Sequence, residues 1–222
     1  MNAPGHTADL FGDCAPVAPA REALAPKALL LRGFASPVEG TLREAIDQVI
    51  AQAAWRQPCT PGGRPLSVSM SNCGSVGWVS DRKGYRYSAT DPVSGRPWPP
   101  LSAALLHLAA DAAAEAGFTG FVPDACLINR YVPGASMGLH QDRDERDPTA
   151  PLVSVSLGVP AVFLFGGALR SDRTRRVALT HGDVVVWGGA SRLNFHGIAP
   201  LKAGNHPFAG ECRLNLTFRK AL

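Results

Sequence analysis

The 222-residue chain has no apolar run approaching the length of a membrane span. Its first residues, MNAPGHTADLFGD, also lack the basic segment and apolar core that a signal peptide needs. Neither membrane insertion nor secretion is expected, and a cytoplasmic location follows. Cysteine is scarce: Cys14, Cys59, Cys73, Cys126 and Cys212 are odd in number and far apart, and no C-x-x-C pair occurs. That spacing argues against a structural zinc or a dithiol redox site and for a reduced compartment. Lysine is nearly absent among the bases, since 18 of the 22 basic residues are arginine. Internal repeats are also missing, and no second hydrophobic core shows, so a single, monomeric domain is expected.

What is present begins with 45% hydrophobic residues, ample for one packed core at this length. A formal net charge of +4 and a pI near 9.0 are compatible with a polyanionic partner, and arginine suits bidentate phosphate contacts. The excess is mild.

Residues 1–26, rich in Ala and Pro without period, read as an irregular arm, and the fold is expected to start at Lys27. KALLLRGF reads as a short buried strand. SPVE at 36–39 offers a capping box, with Pro37 at the first helical position and Glu39 reaching back to Ser36. Leu42, Ala45, Ile46, Val49, Ile50 and Ala53 then recur at helical spacing. A second helix is predicted over 102–116, with Leu105, Leu106, Ala109 and Ala113 inside and a stop at Gly117. After Asp124 the pattern changes to short runs punctuated by Gly, Pro and Asp: ACLINRY, SMGLH, LVSVSLG, AVFLFG, RRVALT, DVVVWG, RLNFHG and ECRLNLTFR. Eight short strands at near-regular spacing mean a sandwich or closed barrel. The chain is therefore α+β, mainly β, with helices outside one major β structure.

The chemistry starts at LHQDRDERD, residues 139–147, where a basic protein places a histidine and four acids in nine residues. If 137–142 are extended, His140 and Asp142 project from one face and reach one ion. Two imidazoles and one carboxylate make the facial triad of non-haem iron(II) oxygenases, so a second histidine is needed. His181, His196 and His206 are all available, whereas His107 in LLHLA reads as packing in a helix. Within ECRLNLTFR, Cys212, Leu214, Leu216 and Phe218 share one face, and Arg213, Asn215, Thr217 and Arg219 the other. The second set is either a solvated face or a receptor for a small dicarboxylate, because each guanidinium can grip a carboxylate bidentately. INRY adds Asn129 and Tyr131, two apart. A metal triad beside a dicarboxylate receptor points to 2-oxoglutarate. Residues 78–98 interleave Trp78, Tyr85, Tyr87 and Trp98 with Arg82, Lys83, Arg86 and Arg96, either a surface hairpin or the composition of a site for a single strand or flipped base.

Several long segments in order, PDACLINRYVPGASMGLHQDRDE, VSVSLGVPAVFLFGG, HGDVVVWGGASRLNFHGI and CRLNLTFR, resemble the AlkB-like family of iron(II) and 2-oxoglutarate-dependent dioxygenases. The resemblance extends upstream through TPGG, SVSMSNCGSVGW and the YRYS region and covers nearly everything beyond residue 27. It implies a double-stranded β-helix, or jelly roll, with a core over about 124–220 and a nucleotide-recognition lid over about 58–98. It also implies that His140, Asp142 and His196 are the iron ligands, with His181 at a strand turn. In the same pattern Arg213, Asn129 and Tyr131 would hold the distal carboxylate of 2-oxoglutarate, and Asn215 and Arg219 the one near the metal.

On the substrate side the resemblance implies that Trp78 and His140 sandwich the damaged base and that Tyr85 contacts phosphate. Thr60 to Gly63 would form an adjoining contact loop, Asp144 would meet the exocyclic amino group of a cationic base, Arg170 would lie near the pocket and Met70 would pack beside the lid. Glu145 and Asp147 read as a solvated loop. The implied activity is oxidative demethylation of bases such as N1-methyladenine and N3-methylcytosine in single-stranded or flipped-out DNA, with RNA as a further class. The cofactors would be Fe(II), 2-oxoglutarate and molecular oxygen, and the products formaldehyde, succinate and carbon dioxide. Other readings of the same residues are a dioxygenase acting on RNA, protein or a small molecule, and a non-catalytic metal- or nucleic-acid-binding module.

Overall fold

A computed structural model describes residues 20–222. Most of the expected arm, residues 1–19, lies outside the described residues, but its last part is not irregular. Strand β1 (Arg21–Ala25) pairs antiparallel with β2 (Ala28–Leu31) around a turn in which Lys27 takes a φ of 58°. The sheet therefore starts six residues before Lys27. The Ala-rich stretch hides its period because its anchors are polar: Glu22 pairs with Arg32 and Arg175, which clamps β1 onto its neighbours.

The chain continues through α1 (Glu39–Gln52), β3 (Ser69–Gly74), β4 (Gly77–Asp81), β5 (Gly84–Ser88) and α2 (Ala103–Glu115). Then come β6 (Ala125–Tyr131), β7 (Met137–His140), β8 (Leu152–Gly158), β9 (Ala161–Phe165), β10 (Arg175–Leu179), β11 (Val184–Trp187), β12 (His196–Ile198) and β13 (Arg213–Arg219). All eight runs after Asp124 contain a strand. RLNFHG contributes only its end, because a 3-10 turn at Gly189–Ser191 and a tight turn after it occupy the residues before His196.

A seven-stranded sheet in the order β1-β2-β11-β8-β13-β6-β3 faces a four-stranded sheet in the order β10-β9-β12-β7, and β4-β5 stands apart as a hairpin. Leu30, Val185 and Trp187 of the large sheet meet Phe163, Phe165, Val177 and Ile198 of the small one. On its other face the large sheet packs Val155, Val184, Val186, Leu214, Leu216 and Phe218 against Leu42, Ile46 and Val49 of α1 and Leu105 and Ala109 of α2. The architecture is a jelly roll with its helices on one outer face, mainly β as expected. Because the large sheet is covered on both sides, all seven residues of β13 are buried, polar and apolar alike.

Two local expectations are corrected. Ser36–Val38 forms a 3-10 turn, no side chain caps α1, and Glu39 instead bonds the ring of His181 at 2.6 Å. A tertiary partner of opposite polarity outcompetes the local cap. In α2, Ser102 does cap, its hydroxyl accepting from Leu105 N, and Gly117 closes the end at a φ of 81°. His107, however, faces solvent while Leu105 and Leu108 face the core. The expected lid also divides: β3 belongs to the large sheet through β6, and only the β4-β5 hairpin stands free of it. Among the described residues no helix is long and apolar enough to cross a membrane.

Candidate active site

The site lies between the two sheets. His140 ends β7 and pairs in register with His196, the first residue of β12, so the antiparallel ladder brings two imidazoles side by side with ring centres 4.4 Å apart and planes tilted by 51°. Asp142 follows two residues after β7 ends, its Oδ1 3.7 Å from His140 Nε2 and its Oδ2 3.7 Å from His196 Nε2. One ligand atom from each of the three lies within 4.8 Å of the others. Two imidazoles and a carboxylate at that spacing can hold a divalent ion of the first transition row and leave positions open on one side. Burial makes a charge on His196 costly and pulls its pKa down to about 4, so it is neutral and ready to ligate at pH 7. The Nδ1 atoms of His140 and His196 sit 2.9 Å from Gly138 O and 3.1 Å from Asn194 O, which fixes the rings with Nε2 toward the cavity.

Burial alone would raise the carboxyl pKa of Asp142. Arg219, at 2.8 Å from Oδ2, and the two imidazoles override it and hold the group well below the usual carboxylate range. Arg219 is correspondingly pushed above an ordinary guanidinium despite its burial, by Asp142 foremost. Neither His181 nor His206 reaches this centre. His181 lies in the β10-β11 turn, where its Nδ1 accepts from Gly158 N and its ring stacks on His206 at 4.4 Å.

A cavity of about 600 Å³ opens over the triad. Its floor is the polar face of β13 (Arg213, Asn215, Thr217, Arg219) with Asn129 and Tyr131 of β6 and Ser154 of β8. Arg213 is 1% exposed, yet its Nε and Nη1 have no hydrogen-bond partner among the described residues, and only Nη2 is used, donating to Ser156 Oγ at 2.9 Å. Asn129 Oδ1 is likewise unpartnered. Burial lowers the pKa of Arg213 and raises that of Tyr131, whose ring lies 5.0 Å from the guanidinium carbon. Buried polar groups are almost always paired, so donors left open on a cavity wall mark the place of an absent anion. A carboxylate is the anion a guanidinium most commonly takes.

A model of the 2OG-Fe(II) oxygenase superfamily matches residues 27–219. The chain belongs to that family. It is similar to the alpha-ketoglutarate-dependent dioxygenase AlkB of Salmonella typhimurium, with 56% identity over 96% of this chain and 97% of that one. With the Escherichia coli protein of the same name the identity is 54%, with the same coverage. The solved structure of OsALKBH1 superposes with a TM-score of 0.79 at 30% identity, covering 90% of this chain and all of that one. This oxygenase is thus an iron(II) and 2-oxoglutarate-dependent dioxygenase that uses molecular oxygen.

Of the remaining expected residues of the oxygenase, Trp78, Tyr85, Asp144, Arg170 and Met70 line the cavity and Thr60 does not. On the hairpin, Trp78 and Tyr85 stack with centroids 5.6 Å apart, and both line the cavity. Tyr85 is 50% exposed. Trp78 Nε1 donates to Asp144 Oδ2 at 2.9 Å, so the acid expected to meet a base is held by the aromatic expected to stack on it. Arg170, which also lines the cavity, lies over the ring of Phe195 at 4.9 Å. Met70 lines the cavity from β3, within the large sheet and buried. Thr60 does not line the cavity: its Oγ1 accepts from Arg64 N in its own turn.

Glu145 is the main correction. It was expected in solvent, but its side chain is 2% exposed, and it receives Tyr87 Oη at 2.6 Å and Arg192 Nη2 at 3.0 Å. The buried Arg192 was not foreseen either, because its partners, Asp142 O, Ala150 O and Glu145, come from a segment more than forty residues away. The only advance signal was the spacing of Tyr87, two residues from Tyr85 and so on the same face of the hairpin. Asp147 does behave as a loop acid, closing a turn on Thr149.

Proposed function

We propose that this dioxygenase repairs alkylated nucleic acid by oxidative demethylation of bases such as N1-methyladenine and N3-methylcytosine, presented in a single strand or flipped out of a duplex. The observation that carries the reading is the pairing of the unpartnered Arg213 nitrogens beside the triad with a stacked aromatic pair at the mouth of the same cavity. A small-molecule oxygenase has no need of a Trp78-Tyr85 stack on its cavity wall, with Tyr85 exposed and Arg143 and Arg170 lining the same cavity.

In this reading His140, Asp142 and His196 hold Fe(II). Arg213, with Asn129 and Tyr131, binds the distal carboxylate of 2-oxoglutarate, and Arg219 and Asn215 support the one beside the metal. The bound iron supplies the oxidation of the methyl carbon, with 2-oxoglutarate consumed to succinate and carbon dioxide and formaldehyde released. The chain's own residues do the rest. Arg219 neutralises Asp142 and keeps it ionised. Trp78 stacks on the base opposite His140, and the free oxygen of Asp144 accepts from an exocyclic amino group, which a cationic methylated base donates well. Tyr85 and Arg170, which both line the cavity, contact the flanking phosphates. Thr60 to Gly63, outside the cavity, form a contact loop for the strand beyond. The protein works as a monomer in the cytoplasm.

The test is release of formaldehyde from N1-methyladenine and N3-methylcytosine oligonucleotides, DNA and RNA, with Fe(II), 2-oxoglutarate and oxygen. Turnover on methylated oligonucleotides is expected. Succinate formation without any formaldehyde from nucleic acid would move the reading to another substrate class.

A further inference from the structure

We propose that Glu145 is a positioning residue that ties the β4-β5 hairpin to the cosubstrate arginine, so that occupancy of the 2-oxoglutarate site and placement of the hairpin are coupled. The inference rests on the reading of Arg219 as a 2-oxoglutarate anchor. Oε1 of Glu145 is shared: it receives Tyr87 Oη from β5 at 2.6 Å and lies 3.4 Å from Arg219 Nε. Oε2 receives Arg192 Nη2 at 3.0 Å, and the same guanidinium donates to the backbone oxygen of Asp142 at 2.6 Å. One carboxylate thus touches the hairpin, the arginine beside the iron ligand and the loop that carries that ligand.

The arrangement is more than packing. Arg219 is gripped from two sides, Nη2 by Asp142 at 2.8 Å and Nε by Glu145, so the plane it offers a ligand is set by both acids. The Nε contact is an ion pair without hydrogen-bond geometry, and Nε is among the buried nitrogens left without a hydrogen-bond partner. Any rotation of Arg219 toward a carboxylate therefore changes its distance to the oxygen that Tyr87 uses. The hairpin's other anchors include Trp78 Nε1 on Asp144 next along the same loop, the Trp78 backbone on Asn72 and Arg56, and Ser80 Oγ on Cys59 O. Tyr87 on Glu145 is what ties β5 to the acid loop. Two consecutive acids accordingly hold the two aromatic positions of the hairpin that pair across it, Trp78 and Tyr87. Coupling of this kind is reciprocal: whatever steadies Arg219 steadies the hairpin, and the reverse.

The test uses Tyr87→Phe, Glu145→Gln and the double variant of the full chain, with Mn(II) in place of iron so that no turnover occurs. Two quantities are read: the 2-oxoglutarate dissociation constant by calorimetry, and hydrogen exchange of the hairpin amides in the protein without metal or cosubstrate. Y87F should speed hairpin exchange by about threefold to tenfold, the worth of one hydrogen bond, with α2 unchanged. It should also weaken 2-oxoglutarate binding by about threefold, and E145Q should weaken it by about tenfold. In the E145Q background the effect of Y87F on binding should vanish, a non-additivity that a purely structural role would not give. Additive effects, or hairpin exchange within twofold of wild type in Y87F, would overturn the coupling. If wild type binds no 2-oxoglutarate, the reading of Arg219 fails instead, and the exchange rates still decide the tie between Glu145 and the hairpin.

Discussion

Arg213→Met separates a ligand-binding arginine from a structural one. The residue is 1% exposed, with two unpartnered nitrogens, one hydrogen bond to Ser156 and the Tyr131 ring at 5.0 Å. Each buried donor left open costs roughly 1–3 kcal/mol. Against that stand a hydrogen bond worth about 1 kcal/mol and a cation-π contact worth about 1–2 kcal/mol. Two open donors thus cost roughly 2–6 kcal/mol against about 2–3 kcal/mol gained, so without metal or cosubstrate the variant should be at least as stable as wild type. An arginine holding the fold through a buried ion pair would instead cost about 3–5 kcal/mol to lose. The ligand response is the other half. At a 2-oxoglutarate concentration of about 100 dissociation constants, with Mn(II) present, binding stabilises wild type by about 2.7 kcal/mol. For a chain of this size that raises the melting temperature by roughly 5–10 °C, and R213M should lose most of the rise. A variant that melts well below wild type without ligand, or that keeps the full shift, would refute the assignment of the open donors to a carboxylate.

His196, buried and held down to about 4 against 6.5 unfolded, binds fewer protons folded than unfolded. Its contribution is therefore complete above about pH 6.5 and lost as the pH falls toward 4, roughly 3 kcal/mol in the metal-free protein. Urea midpoints across that range should show the loss, and His196→Asn should flatten it. Gly197→Ala puts a Cβ 2.6 Å from Met137 O, between the strands that carry His196 and His140. Even where the variant folds, metal affinity measured with Mn(II) should fall by about tenfold or more, and unchanged affinity would mean that the pairing of β7 with β12 does not set the site. Trp78→Ala should raise KM for methylated oligonucleotide by about tenfold to a hundredfold through lost stacking, with 2-oxoglutarate affinity unchanged. An unchanged oligonucleotide KM would remove Trp78 from base recognition.

What could be read from the sequence was whatever is local in period. The alternation in ECRLNLTFR separates the two faces of β13, and the spacing of His140 and Asp142 puts both toward one ion. Whether the polar face of β13 met water depended on β7, β9 and β12 lying above it, which no window of nine residues contains. The same limit explains Glu145. An acid two residues from Arg143 and next to Arg146 looks solvated, and only the return of Arg192, Arg219 and Tyr87 to the same point buries it. Glu39 failed as a cap for a related reason, since its partner His181 lies in a turn more than a hundred residues on. Strand β1 was missed because its sheet neighbours, not its own composition, hold it extended.

The charges of the site say why metal and cosubstrate belong together. Leaving the imidazoles aside, three buried guanidiniums, Arg192, Arg213 and Arg219, stand against two buried carboxylates, Asp142 and Glu145. This buried cluster, of which Arg213, Arg219 and Asp142 line the cavity, is thus positive by one charge. A divalent cation alone would add two more where Arg219 already sits 2.8 Å from Asp142, one of the three residues that could hold it. A dicarboxylate alone would compete with Asp142 and Glu145 for the same arginine. Bound together, the cation and the dianion leave the net charge of the cluster unchanged, so each removes the electrostatic cost of the other. The positive remainder sits deep, whereas Asp144 stands exposed at the mouth with one oxygen on Trp78. A cationic methylated base entering there meets Asp144 beside the exposed Arg143 and Arg170, whereas the buried arginines are already paired with acids or held for the dicarboxylate. A neutral, repaired base lacks that attraction, so the same placement favours entry of the lesion and departure of the product.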